Sequence, residues 1–390
     1  MSLSILSRFA QLPTTVAFSA ILFSVVANCT ADDSKTPSEN STNSTSNPAM
    51  AAGALADATP SIESKYLKNI RQLTFDFTKA GEGYFSPDGK TAIFQAVPRE
   101  YMFYQIYTLP LDQASDAKPA TPKLISTGRG RTTCSYFSPD GKGIIFASSH
   151  LDPNLSETEA TQKKQDEEDA KSGKHRRYQW DFDPAMEIFA ADLAGHNLRQ
   201  LTNSLGYDAE GAYTPDGKHI VFCSNRGGNP NLYVMDADGA NVRQLTTASG
   251  YNGGPFTSPN GKWVVFRSDR KQEGFLQLHV IGFDGQNDTE LTDNIGVNWA
   301  PFWHPTKPCI VWTGADHSDP HATPNYDLWL MKYEERDGKI TPGKITRITD
   351  HPAADVLPVF SPDGKRLMWT SNRTPDHSSQ LFIADFELPE

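Results

Sequence analysis

Arg99, His150, Arg226, Arg270, His317 and Arg373 occupy one recurring position in the chain, each just beyond a short apolar stretch. Arginine offers a forked donor to carboxylate or phosphate, and imidazole can bind a metal or move a proton. Acids recur ahead of the same stretches: Glu82, Asp208, Glu210 and Asp355, with Asn252 and Asn298 at the positions equivalent to Asp208. Gathered on one rim, these residues suit three uses. Arginines and acids of neighbouring units could pair as salt bridges that hold the units in register. Arg226, Arg270 and Arg373, with Asp208, Glu210 and Asp355 beside them, could form a mouth for an anionic ligand or a peptide. His150 and His317, with Asp208 and Glu210, could hold a divalent metal or work as acid and base. No cofactor is firmly implied. The sequence holds no His-Glu-x-x-His helix, nucleophile elbow or Gly-rich phosphate loop. His317 and His321 have metal-like spacing only on a helix, which the nearby prolines disfavour.

The elements that would position this set are repeats. SPDGK occurs at Ser86–Lys90, Ser138–Lys142 and Ser361–Lys365, with TPDGK at Thr214–Lys218, SPNGK at Ser258–Lys262 and a worn HPTKP at His304–Pro308. Pro presets φ and Gly takes the positive φ of a tight turn. Measured between Pro87, Pro139, Pro215, Pro259, Pro305 and Pro362, the steps are 52, 76, 44, 46 and 57 residues. The shorter ones match the four-stranded blade of a β-propeller. Each unit reads as strand a, the Pro-Asp/Asn-Gly turn, an apolar strand b, a polar segment, strand c, a DADG-type turn and a strand d ending in Leu-Thr. The last unit stops after strand c, and "YLKNIRQLT" precedes the first turn. The expected fold is therefore all-β: a six-bladed propeller of four-stranded blades, with the N-terminal strand Leu67–Thr74 completing the last blade. In this topology the a–b and c–d turns share one face, which reads as structural. The b–c and d–a segments share the other, where the units differ and function is expected.

SPDGK followed by an apolar strand, SNR, a D-x-DG turn and RQLT resembles the repeat of TolB-like propellers, over residues 66–386. The resemblance implies an exported six-bladed protein related to the propeller subunit of the bacterial Tol–Pal envelope system. Propellers of this sequence type also occur in peptidases and sugar lyases, so the repeat speaks for fold more than for function. TolB itself carries an additional α/β domain ahead of its propeller, and the corresponding stretch here is expected to hold only a signal and a tether.

Residues 151–183 form a charged insertion on the b–c side, with Glu159/Lys163 and Glu167/Lys171 spaced for helical pairs. It ends in a basic, aromatic run that includes Trp180. With Arg129 and Arg131 on the adjoining d–a segment, Trp180 is a further candidate for contact with an anionic or glycan partner.

Residues 1–29 read as a signal peptide or a lipoprotein signal, with a small-residue cleavage site and Cys29 beyond it. Residues 30–62 read as a disordered Ser/Thr/Asn/Pro-rich tether, and residues 63–390 as the propeller. A net charge of −11 argues against nucleic acid as partner. Membrane contact is expected only through a signal anchor or a lipid on Cys29. Cys134, Cys223 and Cys309 lie in different repeats and read as buried small residues. The expectation is a monomeric, exported module of the periplasm or cell envelope that binds a protein, peptide or glycan. The alternative is a metal-assisted lyase or hydrolase of acidic carbohydrate, acting in the channel mouth.

Overall fold

The repeated turn organises each blade. In the first copy Ser86 Oγ donates to Asp88 Oδ1 at 2.6 Å, which also accepts the Lys90 N–H at 3.1 Å. Gly89 N donates to Ser86 O, and Gly89 sits at φ 71°. The side chains thus close a hairpin that backbone preference has already bent. The worn copy has no glycine and another solution: His304 Nδ1 accepts the N–H groups of Thr306 and Lys307.

The computed structural model describes residues 61–111, 120–172, 182–319 and 321–390. The signal, Cys29, almost all of the tether, and Trp180 lie outside these residues. Helix α1 (Glu63–Tyr66) leads into strand β1 (Leu67–Gln72). Blade 1 follows as β2 (Phe77–Phe85), β3 (Thr91–Pro98), β4 (Gln105–Pro110) and β5 (Lys123–Leu124). Blade 2 is β6 (Thr132–Phe137), β7 (Gly143–Ser148), β8 (Glu187–Asp192) and β9 (Arg199–Gln200), with helix α2 (Leu155–Ser172) between β7 and β8. Blade 3 is β10 (Asp208–Tyr213), β11 (His219–Ser224), β12 (Asn231–Asp236) and β13 (Arg243–Gln244). Blade 4 is β14 (Asn252–Thr257), β15 (Trp263–Ser268), β16 (Gln277–Gly282) and β17 (Thr289–Glu290). Blade 5 is β18 (Gly296–Trp303), β19 (Cys309–Asp316), β20 (Asp327–Arg336) and β21 (Lys339–Arg347). Blade 6 is β22 (Asp355–Phe360), β23 (Arg366–Ser371) and β24 (Gln380–Phe386), and β1 pairs antiparallel with β24 to complete it. The expected ring is present and is closed by the expected strand.

Closure is reinforced ahead of β1. Asp350, on the loop from blade 5 to blade 6, accepts the Ile62 N–H at 2.7 Å, the Glu63 N–H at 3.2 Å and the Ser61 hydroxyl. One carboxylate therefore satisfies amides at the start of α1 that the helix cannot pair itself.

The apolar strands b and c pack blade against blade, with Phe94, Phe146, Phe222, Phe266 and Trp369 fully buried. Cys134, Cys223 and Cys309 are free and buried, as expected. No helix among the described residues is long and apolar enough to cross a membrane.

Candidate functional site

Strand a, the innermost strand, is bent at the same place in every blade. Glu82, Cys134, Glu210, Gly254, Ala300 and Leu357 adopt φ between 48° and 60°. Each lies where the pairing with strand b slips. A bulge leaves an unpaired N–H, and neighbours supply acceptors. Thr370 Oγ1 takes the Glu82 N–H at 3.2 Å, Gln95 Oε1 that of Cys134 at 3.1 Å, and Thr313 Oγ1 that of Leu357 at 2.9 Å. The equivalent strand-b residues in blades 2, 3 and 4 are Ala147, Cys223 and Arg267. There the repeat is broken: Glu210 Oε2 accepts the Gly254 N–H at 2.7 Å, and Glu210 Oε1 holds Arg267 Nη2 at 2.5 Å. Tyr251 Oη donates to Glu210 and accepts from Arg267 Nη2 at 2.6 Å. Bare backbone makes the room, since a Cβ on Gly254 would stand 2.2 Å from Arg267 Nη1. Burial works against the charge of Arg267, and Glu210 more than restores it, so the guanidinium stays above its ordinary pKa.

Glu82 faces the same axis with weaker partners, Tyr84 Oη at 3.3 Å and Cys134 Sγ at 4.0 Å. Burial, and then repulsion from Glu210, push its carboxyl up to about 7. Burial likewise drives the Cys134 thiol well above its usual range, which makes it a poor nucleophile.

The arginines expected at the mouth fold back onto their own blades. Arg226 lies over Phe222 and Tyr233 at 5.3 and 5.2 Å and donates to Ser224 Oγ and to Asp208 Oδ2, the latter at 2.7 Å. Arg373 lies over Trp369 and Phe382 and donates to Asp355 Oδ2 at 2.7 Å and to Glu63. Arg270 lies over Phe266 and donates to Asn252 Oδ1 and to Asp288. These pairs lie within a blade and do not bridge two blades; only Glu63 reaches Arg373 from outside, as part of the clasp. The reason is geometric: strands a and b are adjacent, so the residue opening strand a lies beside the corner that follows strand b. Asp208 and Asp355 are fully buried between blades, while Glu82 and Glu210 line the axis. Arg99 donates to the Asp76 carbonyl.

His150 folds back in the same way, with Nδ1 3.0 Å from Ser148 Oγ and its ring against Phe189. His317 instead makes edge contacts with Phe275 and Tyr326. Burial lowers the pKa of both imidazoles. Among the described residues, no three His, Cys, Asp or Glu side chains converge as a metal-ligand set.

On the insertion, α2 forms over the expected charged run. Glu159, spaced for Lys163, reaches instead to Arg129 Nη2 at 2.8 Å and accepts from Tyr101 Oη at 2.6 Å. Arg131 lies over Phe103 at 4.3 Å with Asp183 3.6 Å from its Nε.

A cavity missed in the sequence lies on the other face, among the SPDGK turns. It measures about 250 Å³ and its rim carries all six turn prolines. Its wall is aromatic, including Phe85, Tyr213, Trp303 and Phe360. Its floor is a cluster of rings from four blades: Tyr84 meets Tyr136 at 5.1 Å and Phe256 at 5.7 Å, and Phe256 meets Phe302 at 5.1 Å. The long hairpin β20–β21 raises one side of this face, placing Tyr333 on Trp303 and Glu335 on Asn260 of the blade 4 turn. An aromatic residue two or three places before each turn proline is the available signal.

A family model described as "TolB beta propeller domain" matches residues 180–273. The Tol-Pal system protein TolB of Bordetella pertussis is 49% identical over 39 residues, which is 10% of this chain and 9% of that relative's length. Among solved structures, a putative TolB from Agrobacterium tumefaciens superposes with a TM-score of 0.53 at 22% identity, covering 79% of this chain and 91% of that one. TolB from Acinetobacter baumannii gives 0.51 at 18% identity, covering 82% and 66%. The six blades and these likenesses agree on the fold: the chain is a six-bladed β-propeller, and residues 180–273 are similar to the TolB propeller domain.

Proposed function

We propose that this propeller is an exported binding module, and that it engages a protein or peptide partner of the cell envelope through the aromatic cup on its turn face. The cup carries this reading. It is a central concavity of about 250 Å³, with aromatic walls, a proline rim and a closed floor. Aromatic and proline surfaces of this kind take a bulky apolar side chain at little cost in ordering, because few of their own rotors are free. Lys90, Lys142, Lys218, Lys262 and Lys365 stand exposed on the surrounding turns, while the turn aspartates are tied to hydroxyls and amides of their own hairpins. An apolar anchor flanked by acidic groups suits this rim. Arg226 and Arg373 are already paired with buried carboxylates, so a ligand using them would have to displace those partners first.

Site-specific photo-crosslinking in cells tests the reading. A photoreactive residue at Phe85 or Tyr213, inside the cup, should yield a discrete envelope-protein adduct. The same group at Leu205, exposed on the opposite face, should not. Adducts from Leu205 alone would overturn the proposal.

A further inference from the structure

At four blade junctions, the residue that opens strand c of one blade meets a residue at the start of strand a of the next, or within two places of it. Between blades 3 and 4, Asn252 Nδ2 donates to Asn231 Oδ1 at 3.2 Å. Between blades 4 and 5, Asn298 Nδ2 donates to Gln277 Oε1 at 3.0 Å. Both junctions are neutral and have a donor facing an acceptor. Between blades 5 and 6 the pair is Asp327 and Asp355, and each has its own arginine: Arg347 at 2.7 Å and Arg373 at 2.7 Å. Between blades 2 and 3 the pair is Glu187 and Asp208, with Arg226 alone at 2.7 Å from Asp208 Oδ2.

That last junction is short of one positive charge and one donor. Glu187 is 8% exposed and Asp208 0%. Glu187 Oε1 accepts the Ser204 N–H, and Asp208 Oδ2 accepts the Ser204 hydroxyl. Glu187 Oε2 and Asp208 Oδ1 are buried and have no other hydrogen-bond partner. Two buried carboxylates facing one guanidinium would be strongly repelled. A proton removes the deficit in both charge and donors, and it recreates the donor–acceptor pattern of the amide junctions.

We propose that Glu187 and Asp208 hold one proton between them, as a carboxylic acid donating to a carboxylate, and that this proton closes the junction of blades 2 and 3. Burial pushes the Glu187 carboxyl up to about 7, with the Asp208 charge adding to the rise. The other groups that face the pair are Arg226 at the b–c corner, Cys223 and Tyr233 on strands b and c of blade 3, and Thr202 and Ser204 after blade 2. Below neutrality the junction is closed. As pH rises through about 7, the proton leaves and two carboxylates share Arg226. The end of the insertion is fastened here, since Asp208 N donates to Met186 O and Met186 N donates to Asp183 O. Deprotonation therefore loosens the place where the insertion rejoins the ring.

Two measurements on the full chain test this. Infrared difference spectra between pH 6 and pH 8.5 should show a protonated-carboxyl band that is lost from the wild type. The Glu187→Gln and Asp208→Asn variants should lack that component. Hydrogen exchange, corrected for intrinsic rate, should accelerate about tenfold at residues 186–190 and 206–210 of the wild type over one unit of pH past the transition. It should stay flat in Glu187→Gln, whose amide supplies the donor permanently. Residues 276–278 and 297–299, at the neutral junction of blades 4 and 5, serve as the internal reference and should not respond. Should Glu187→Gln fail to fold, Asp208→Asn carries the same comparison. A band unchanged in the variants, or exchange at 186–190 that is flat in the wild type, overturns the proposal.

Discussion

Arg267 of blade 4 reaches across to Glu210 of blade 3, with Nη2 2.5 Å from Oε1 and both side chains less than a tenth exposed. At the equivalent places blades 5, 6 and 1 carry Thr313, Thr370 and Gln95, which only satisfy a bulge amide. The pair is therefore where the ring departs from its own symmetry. Arg267→Ala leaves a buried carboxylate uncompensated and should cost about 3–5 kcal/mol in urea unfolding. The Glu210→Gln/Arg267→Met double variant should cost much less than the sum of the singles. Additive losses would mean that the two residues do not act as a unit.

The clasp at the N-terminus predicts a graded response. Removing residues 66–75 takes away the partner of β24 and should abolish the cooperative melt. Asp350→Ala removes only the cap of α1 and should cost about 1 kcal/mol. Arg373→Ala, which frees both Asp355 and Glu63, should cost more than Arg226→Ala, whose guanidinium is more exposed.

Glu82 gives the channel its own pH dependence. Its folded pKa, about 7, lies above the ordinary glutamate value. The stability it contributes is complete at pH below that ordinary value and is lost as pH rises through about 7. Glu82→Gln should therefore raise Tm at pH 8 and leave it nearly unchanged at pH 4. A Tm gain of equal size at both pH values would show that charge at Glu82 is not the cause.

The turn prolines and the strand alternation between them made six blades and their closure legible in the sequence. Spacing also brought Arg226, Arg270, Arg373 and His150 to one structural position. It could not say which way they point: an aromatic residue on strand b or c and the serine that ends strand b draw each side chain back onto its blade. The strand-a bulges left no trace, because Glu, Cys, Gly, Ala and Leu all occupy them. The cup was overlooked for a different reason. Repetition on the turn face reads as purely structural, yet six repeated prolines and their aromatic neighbours converge on the axis and make a surface there.

Gly254 has no Cβ and sits at φ 60°. Gly254→Ala should displace Arg267, and its destabilisation should shrink in an Arg267→Ala background. Equal losses in both backgrounds would assign the cost to backbone strain alone.

If partners dock on the turn face while the arginines of the opposite face serve the blades, substitutions on the two faces should separate. The most direct test is the yield of the Phe85 photo-adduct in two folded variants, Tyr213→Glu in the cup and Arg270→Ala on the far side. Tyr213→Glu should abolish the adduct, and Arg270→Ala should leave it at the wild-type level. Loss of the adduct in Arg270→Ala with full yield in Tyr213→Glu would contradict docking on the turn face.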